Sequence, residues 1–267
     1  MSIVAITGDH PRHYFLVSQL AEADILAGWI VQRRKAFVPA PPADCTGRLR
    51  ELFVLHFDRR AEAEHRFFGE PTDLDAFGVP ILQVTAETLN DAATRDFIRA
   101  RAPRVALSYG CNKLSDETIT TSGTTFWNTH GGLSPQYRGV ATHFWPSYCL
   151  EPQMTGMTLH ETTVDLDGGG IIHQTAASMQ KGDGLHDLAG RAVKEYATGL
   201  PDVFKKVLAM PSLPAGKVQK SHGKLWLDAD WRPEHLKLIY DVYEDRIVDL
   251  VVDGELKGRT PNLVSIV

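Results

Sequence analysis

The stretch "SIVAITGDHPRHYFLVSQLAEADILAGWIV", residues 2–31, decides the fold class. "SIVAIT" is a short β-rich apolar run ending at Gly8. "HYFLVSQLAEA" carries its apolar residues at helical spacing, and "ILAGWIV" is apolar again. That order reads as strand, helix, strand. The alternation continues downstream. Residues 46–70 predict a long helix with its stop at Gly69, "VPILQV" a strand, "DAATRDFIRARA" a helix and "RVALSYG" a further strand. Crossovers between parallel strands are nearly always right-handed, so the first 110 residues are expected to build an α/β, Rossmann-like, doubly wound and mostly parallel sheet. Ligands of such sheets sit beyond the carboxyl ends of the strands, which points to the segments after Thr7, after Tyr109 and around Asn128.

Beyond the first half, "TGMTLHETTVDLDGGGIIHQTAASM" alternates like two strands joined across "DLDGGG". Residues 183–210 predict a long amphipathic helix, with a break at Gly199-Leu200-Pro201. After "PSLPAG" the runs in "LKLIYDVYEDRIVDLVVDGELKG", with Asp-Gly in the second, suggest a hairpin. The expected organisation is therefore a Rossmann-like domain over residues 1–209 and a small C-terminal β-hairpin extension over 210–267.

The 28 basic and 33 acidic residues give a net charge of −5, which offers no electrostatic footprint for nucleic acid or an anionic membrane. Cys45, Cys111 and Cys149 lie far apart, with neither a disulfide framework nor the ligand spacing of a zinc site, so no metal is expected. No export signal and no window of about 18 apolar residues is present, and a cytoplasmic location is expected.

The polar and helix-breaking stretch "FWNTHGGLSPQYRG", residues 126–139, falls where that sheet would place a site. On a strand end, residues two apart point to the same side, so Asn128 and His130 can face one cavity. Asp167, in the glycine-rich "DGGG", can approach an imidazole closely because the neighbouring backbone has few side chains to exclude it. An amide, an imidazole and a carboxylate together can stabilise an oxyanion, move a proton and orient the ring without a nucleophilic Ser or Cys. His next to Gly-Gly and Asp before Gly are also ordinary turn chemistry.

"NTHGGLSPQYRG" followed by "GMTLHETTVDLDGGGIIHQ" resembles the paired signature of the formyltransferases that use N10-formyltetrahydrofolate. The likeness covers residues 100–200 well and the remainder loosely. It implies a Rossmann-like fold and places the family's catalytic residues on Asn128, His130 and Asp167. Asp165 is a rival carboxylate, but Asp167 is the one that fits Asp-x-Gly-x-Ile. It also implies that "SYGCNKL" forms the folate wall through its backbone, giving Ser108, Tyr109, Gly110, Asn112, Lys113 and Leu114, with Val164 and Asp165, as cosubstrate-binding residues. In such chemistry an amine attacks the formyl carbon, one group must face the developing oxyanion and another the surplus proton. Asn128 suits the oxygen, Asp167 would hold the imidazole or a relay water, and His130 suits either donor or acceptor.

Members of this family formylate glycinamide ribonucleotide, initiator methionyl-tRNA or nucleotide-linked amino sugars, and one relative hydrolyses the folate. "TGDHPRH" does not match the glycinamide ribonucleotide phosphate loop. The acidic "EDRIVDLVVDGE" is unlike the basic C-terminal domain of the tRNA enzymes. The chain also begins directly on the first strand, without the sensing domain of the hydrolase. "HGGLSPQYRGVATHFWP" together with "LHFDRRAEAEHRFFG" is similar to bacterial sugar N-formyltransferases of the GDP-perosamine type that serve O-antigen and lipopolysaccharide biosynthesis. The expected partners are thus folate and a nucleotide-linked amino sugar, with no nucleic acid, no membrane and a homodimer as an option. His10 and Arg12 lie where an anion can bind beyond the first strand. Arg138 suits an anionic group or a loop contact, and Trp145 suits a base, a sugar or the core. His143 and His160 are expected to be structural. The alternatives are another small amine, a methionyl-tRNA formyltransferase-like activity, or a folate-binding relative without transfer.

Overall fold

In the computed structural model, β1 (Ile3–Thr7), β2 (Leu26–Gln32), β3 (Ile81–Val84), β4 (Val105–Tyr109) and β5 (Thr125–His130) pair in parallel in the order β3-β2-β1-β4-β5. The described residues are 2–33, 38–70, 73–121, 123–163, 167–220 and 223–267. Strand β7 (Gly156–Glu161) joins β5 antiparallel and β8 (Ile171–Ala176) joins β7 antiparallel, which completes a seven-stranded, mostly parallel sheet. The helices of the first half are α1 (Pro11–Glu22), α2 (Gly47–Phe68), α3 (Ala92–Arg101) and the single turn α4 (Asp116–Ile119). A two-stranded parallel pair joins β6 (Tyr137–Gly139) to β9 (Lys224–Trp226).

Continuous apolar strands follow from burial of both sheet faces. In β1, Ile3 and Ala5 pack on the side of α1 and the long helix α6 (Leu185–Ala209), against Leu16, Leu20, Tyr196 and Phe204, with the short α5 (Trp145–Tyr148) lying before β7. The alternate residues Val4 and Ile6 pack on the other side with Leu89, Ile98 and Phe126. Helix α2 ends where expected, since Gly69 takes φ 68°, a conformation costly for residues with a Cβ.

Two expectations are corrected. Helix α6 runs unbroken through Pro201, because Leu200, Val203 and Phe204 around it are anchored in the core. The C-terminal hairpin does not form: Leu238–Val242 is a helical turn and α7 (Ile247–Val252) a short helix, with Asp253-Gly254 ending the helix rather than turning a hairpin. The buried hydrophobic positions there are Leu236, Ile239, Tyr240, Ile247 and Val248, at intervals of three, one, seven and one, which helical turns satisfy. The first four pack with Leu52, Phe53, Trp145 and Leu185, and Val248 with Leu188 and Ala192, so tertiary contact overrides the β propensity of the run. The chain ends along the outer edge of β8, where Gln174 N–H donates to Val264 O at 2.8 Å and Ile266 N–H to Ile172 O at 3.0 Å. Among the described residues no helix is long and apolar enough to cross a membrane.

Candidate active site

Strand register creates the site. Asn128 on β5 stands opposite Ser108 on β4 and opposite His160 on β7, so three polar side chains form a row across three strands. Ser108 Oγ donates to Asn128 Oδ1 at 2.8 Å, which fixes the amide and turns Nδ2 toward His160 Nε2 at 3.2 Å. His160 Nδ1–H donates to Glu161 O at 2.8 Å, leaving Nε2 as the acceptor for the Asn128 amide. Two residues on from Asn128, His130 points to the same side, while Thr129 between them turns to the opposite face and bonds Tyr196 Oη at 2.9 Å.

The glycine pair after His130 is a space requirement. A Cβ at Gly132 would lie 2.6 Å from Tyr137 O and 2.8 Å from His130 Nε2, so only glycine lets the ring close on that carbonyl. His130 Nε2–H donates to Tyr137 O at 2.9 Å, and its Nδ1 lies 3.3 Å from Asp167 Oδ2. The loop is clamped from β7 and β8. Thr158 Oγ donates to Gly132 O at 2.6 Å and accepts from Ser134 N–H at 3.0 Å, while Gln174 Nε2 donates to Ser134 O at 2.6 Å. The Thr and Gln of the two motif segments thus hold the loop that holds His130.

Asp167 is buried and adopts φ 50°, a left-handed conformation that Asp tolerates better than most residues. Gln219 Nε2 donates to Asp167 O at 2.7 Å and to Gly169 O at 2.8 Å, which pins the loop. Its carboxylate accepts from Gly139 N–H at 2.9 Å and reaches His160 Nε2 at 3.5 Å. Burial pushes this carboxyl up, but His130, His160 and the Gly139 N–H outweigh it and hold it at about 2. Burial pushes the His130 imidazole down, with Asp167 working against that effect. The carboxylate is therefore ionised at pH 7.

His130 lies on the wall of a cavity of about 480 Å³. Tyr109 and Gly110 from the end of β4, with Arg12 and His13 from the start of α1, form one side. Arg60, Glu64 and His56 come from α2, His186 from α6, and Asp228 and Trp231 from the C-terminal segment. Arg12 Nη1 and its backbone N–H both donate to Glu64 at 3.1 Å. Burial, followed by the neighbouring Arg12, pushes Arg60 down to about 10, so its guanidinium stays charged at pH 7. Burial holds His56 at about 3, and its Nδ1 lies 2.9 Å from Tyr240 Oη and 3.2 Å from His186 Nε2.

The structure brings Asn128, His130 and Asp167 together. Of the residues expected near substrate, Arg12 is on the cavity wall. His10 caps α1, its N–H donated to His13 Nδ1 at 3.2 Å, and His13 lines the cavity in its place. Arg138 instead donates from Nη2 to Gly223 O at 3.2 Å. Trp145 is buried, stacked on Trp226 at 3.9 Å, away from the cavity; its neighbour Phe144 forms part of the wall. Of the residues expected near folate, Ser108 orients Asn128, and Tyr109 and Gly110 reach the cavity. Asn112 exchanges hydrogen bonds with Gln32 at 2.7 and 2.9 Å, Lys113 O accepts from Asn90 Nδ2 at 3.1 Å, and Leu114 is buried. Val164 and Asp165 lie outside the described residues. His160, read from sequence as structural, contacts both Asn128 and Asp167; its place in Gly-x-Thr-x-His, one strand from Asn128, was the available signal.

The model of the formyl transferase family matches residues 56–204, more than half of the chain, and the chain belongs to that family. It is a formyl-transferring enzyme, and N10-formyltetrahydrofolate is the donor. The fold is shared with solved structures. Phosphoribosylglycinamide formyltransferase from Anaplasma phagocytophilum is 19% identical, with 85% of this chain and 98% of that chain covered and a TM-score of 0.57. A sugar N-formyltransferase from Shewanella sp. is 16% identical, with 90% and 87% covered and a TM-score of 0.53. A sugar 3N-formyltransferase solved in the presence of dTDP and 5-N-formyl-THF is 16% identical, with 87% and 72% covered and a TM-score of 0.52.

Proposed function

We propose that the amine acceptor is a nucleotide-linked amino sugar of the GDP-perosamine kind, formylated for O-antigen assembly. The observation that carries this reading is the cavity, whose wall holds His130, the half-buried Arg12 and Arg60, and Trp231. About 480 Å³ falls in the range of sites that enclose ligands larger than a single sugar. Its two guanidiniums suit a diphosphate, and the Trp231 ring on its wall suits a base.

The residues present fit a formyl donor. The segment after β4 is irregular backbone fixed at Asn112 and Lys113, so main-chain groups can meet a heterocycle, and the Asn128 amide is held at its inner end. The folate supplies an activated formyl group. Asn128 Nδ2 uses one N–H toward His160, which leaves its second for the formyl oxygen as negative charge develops there. His130 commits Nε2–H to Tyr137 O, so Nδ1, beside Asp167, is the position that gains a proton when the amine loses one. Asp167 then faces an imidazolium, and its contact becomes a charge-assisted hydrogen bond. This geometry supports the proton-acceptor role for His130. His160 orients Asn128 and Asp167 as a positioning residue.

The test is a panel of acceptors with N10-formyltetrahydrofolate, covering GDP-, TDP- and UDP-linked amino sugars, glycinamide ribonucleotide and initiator methionyl-tRNA, at two ionic strengths. A nucleotide-linked amino sugar should be formylated best, with a shallow salt response. Efficient formylation of the tRNA alone, with rate falling steeply between low and moderate salt, would overturn the assignment.

A further inference from the structure

We propose that Asp228 and Trp231, in the C-terminal segment, read the base of the acceptor and select guanine. The inference rests on the nucleotide-sugar reading above and concerns the part of the cavity wall that the C-terminal segment supplies. Trp231 is half-buried and lines the cavity. Its ring is braced by Phe53 at 6.2 Å, His56 at 5.9 Å, Phe57 at 6.1 Å and Phe144 at 6.0 Å. An aromatic plane with fixed orientation and an accessible side is a stacking surface for a planar heterocycle.

Asp228 sits one turn earlier, its carbonyl accepting from Trp231 N–H at 3.2 Å, so one turn of backbone carries both side chains. The neighbouring Asp230 is occupied: it accepts from Leu227 N–H at 2.8 Å and lies 3.7 Å from Lys224 Nζ. Asp228 has no side-chain hydrogen bond or ion pair among the described residues and is exposed at the cavity wall. An ionised carboxylate only accepts hydrogen bonds, and its two oxygens match two adjacent donors. Guanine alone among the common bases presents such an edge, N1–H beside the 2-amino group. Adenine and cytosine set one amino donor beside a ring acceptor, and uracil and thymine set N3–H between two carbonyls.

The cavity wall thus carries guanidiniums that suit the diphosphate and, from the C-terminal segment, a carboxylate and an aromatic ring that suit the base.

The test uses the full chain. Binding of GDP, IDP, ADP, UDP and TDP is measured by calorimetry, and turnover is measured with GDP- and TDP-linked forms of the same amino sugar. IDP lacks only the 2-amino donor. GDP should bind about tenfold more tightly than IDP, the scale of one lost hydrogen bond to a charged group. Asp228→Asn, an exposed change that leaves folding intact, should bring GDP and IDP within about twofold of each other and relax the preference between GDP- and TDP-linked sugars. Trp231→Leu should weaken GDP and IDP alike, by about tenfold or more, with their ratio retained. Equal binding of GDP and IDP by the unaltered protein would overturn the proposal, as would an undiminished ratio in Asp228→Asn. If nucleotide sugars are formylated and Asp228→Asn changes no base preference, the subsite alone fails. If no nucleotide sugar is formylated, the substrate reading fails, and the base-reading proposal falls with it.

Discussion

Lowering the pH from 7.5 to 5.5 should destabilise the fold through buried and half-buried histidines that are held neutral around the cavity. Burial holds His56 at about 3 and His143 at about 4, against an ordinary value of 6.5. The sign follows from linkage: between the folded and unfolded values the unfolded chain binds more protons, so stability is full above 6.5 and is lost as pH falls below it. At pH 5.5 the unfolded imidazole is favoured by protonation by a factor of about 11, while a folded ring titrating near 3 or 4 is barely protonated. Each such histidine therefore costs about 1.4 kcal/mol at pH 5.5 and less than about 0.1 kcal/mol at pH 7.5. The result hardly depends on how far below 5.5 the folded value lies. His56 and His143 together give about 3 kcal/mol, and burial moves His130 and His186 in the same direction. Asp167, held at about 2, stays ionised throughout and contributes no slope in this window. The assay is urea unfolding at pH 7.5, 6.5 and 5.5. With an m-value of about 3 kcal/mol per molar, the midpoint should fall by about 1 M across the range. His56→Gln should shrink that pH difference by about 1.4 kcal/mol, whatever it does to stability at pH 7.5. A midpoint that does not move, or a full pH difference retained in His56→Gln, would refute the reasoning.

Asn128→Ala should lower single-turnover formyl transfer by about two to three orders of magnitude and leave folate binding close to unchanged, because the lost donor acts as charge develops; equal losses in both would show a binding role. His160→Ala should reduce kcat more than it raises KM for either substrate, since the residue orients Asn128 and Asp167 without lying on the cavity wall, and a KM effect alone would count against that role. Gly132→Ala should leave a folded protein by circular dichroism but lower turnover at least tenfold, because its Cβ would crowd His130 Nε2 and Tyr137 O; wild-type turnover would show that the loop can give way.

The parallel half of the sheet was legible because its strands are buried on both faces. A run such as "SIVAIT" then has no polar alternation to confuse with a surface helix, and the intervening helices show one apolar stripe each. The C-terminal segment was misread for a physical reason. Ile239, Tyr240, Ile247 and Val248 are β-branched or aromatic, and that bias favours strands; yet the groove between α2, α5 and α6 accepts them only as helical turns. Local preference and packing disagree there, and packing wins. Pro201 shows the same ordering of effects, since one missing N–H does not outweigh the buried contacts of Leu200, Val203 and Phe204.

Residues on one strand were the easier part of the site to read, because two-residue periodicity alone puts Asn128 and His130 on the same side. What spacing does not carry is cross-strand register. Nothing in the interval of 32 residues between Asn128 and His160 states that they are paired neighbours; that follows only once β7 docks antiparallel on β5. The same holds for Arg12, Arg60, His186 and Trp231, which come from separate segments and meet only because their elements converge on one end of the sheet. Trp145 marks the opposite error. Its place beside the motif suggested a ligand contact, but a strand pair between β6 and β9 brings Trp226 over it and makes it core. The residues proposed for formyl transfer are therefore written in contiguous motifs, whereas the cavity proposed for the acceptor is written in the topology, and on that proposal substitutions that alter acceptor choice belong on α2 and in the C-terminal segment rather than in the motif itself.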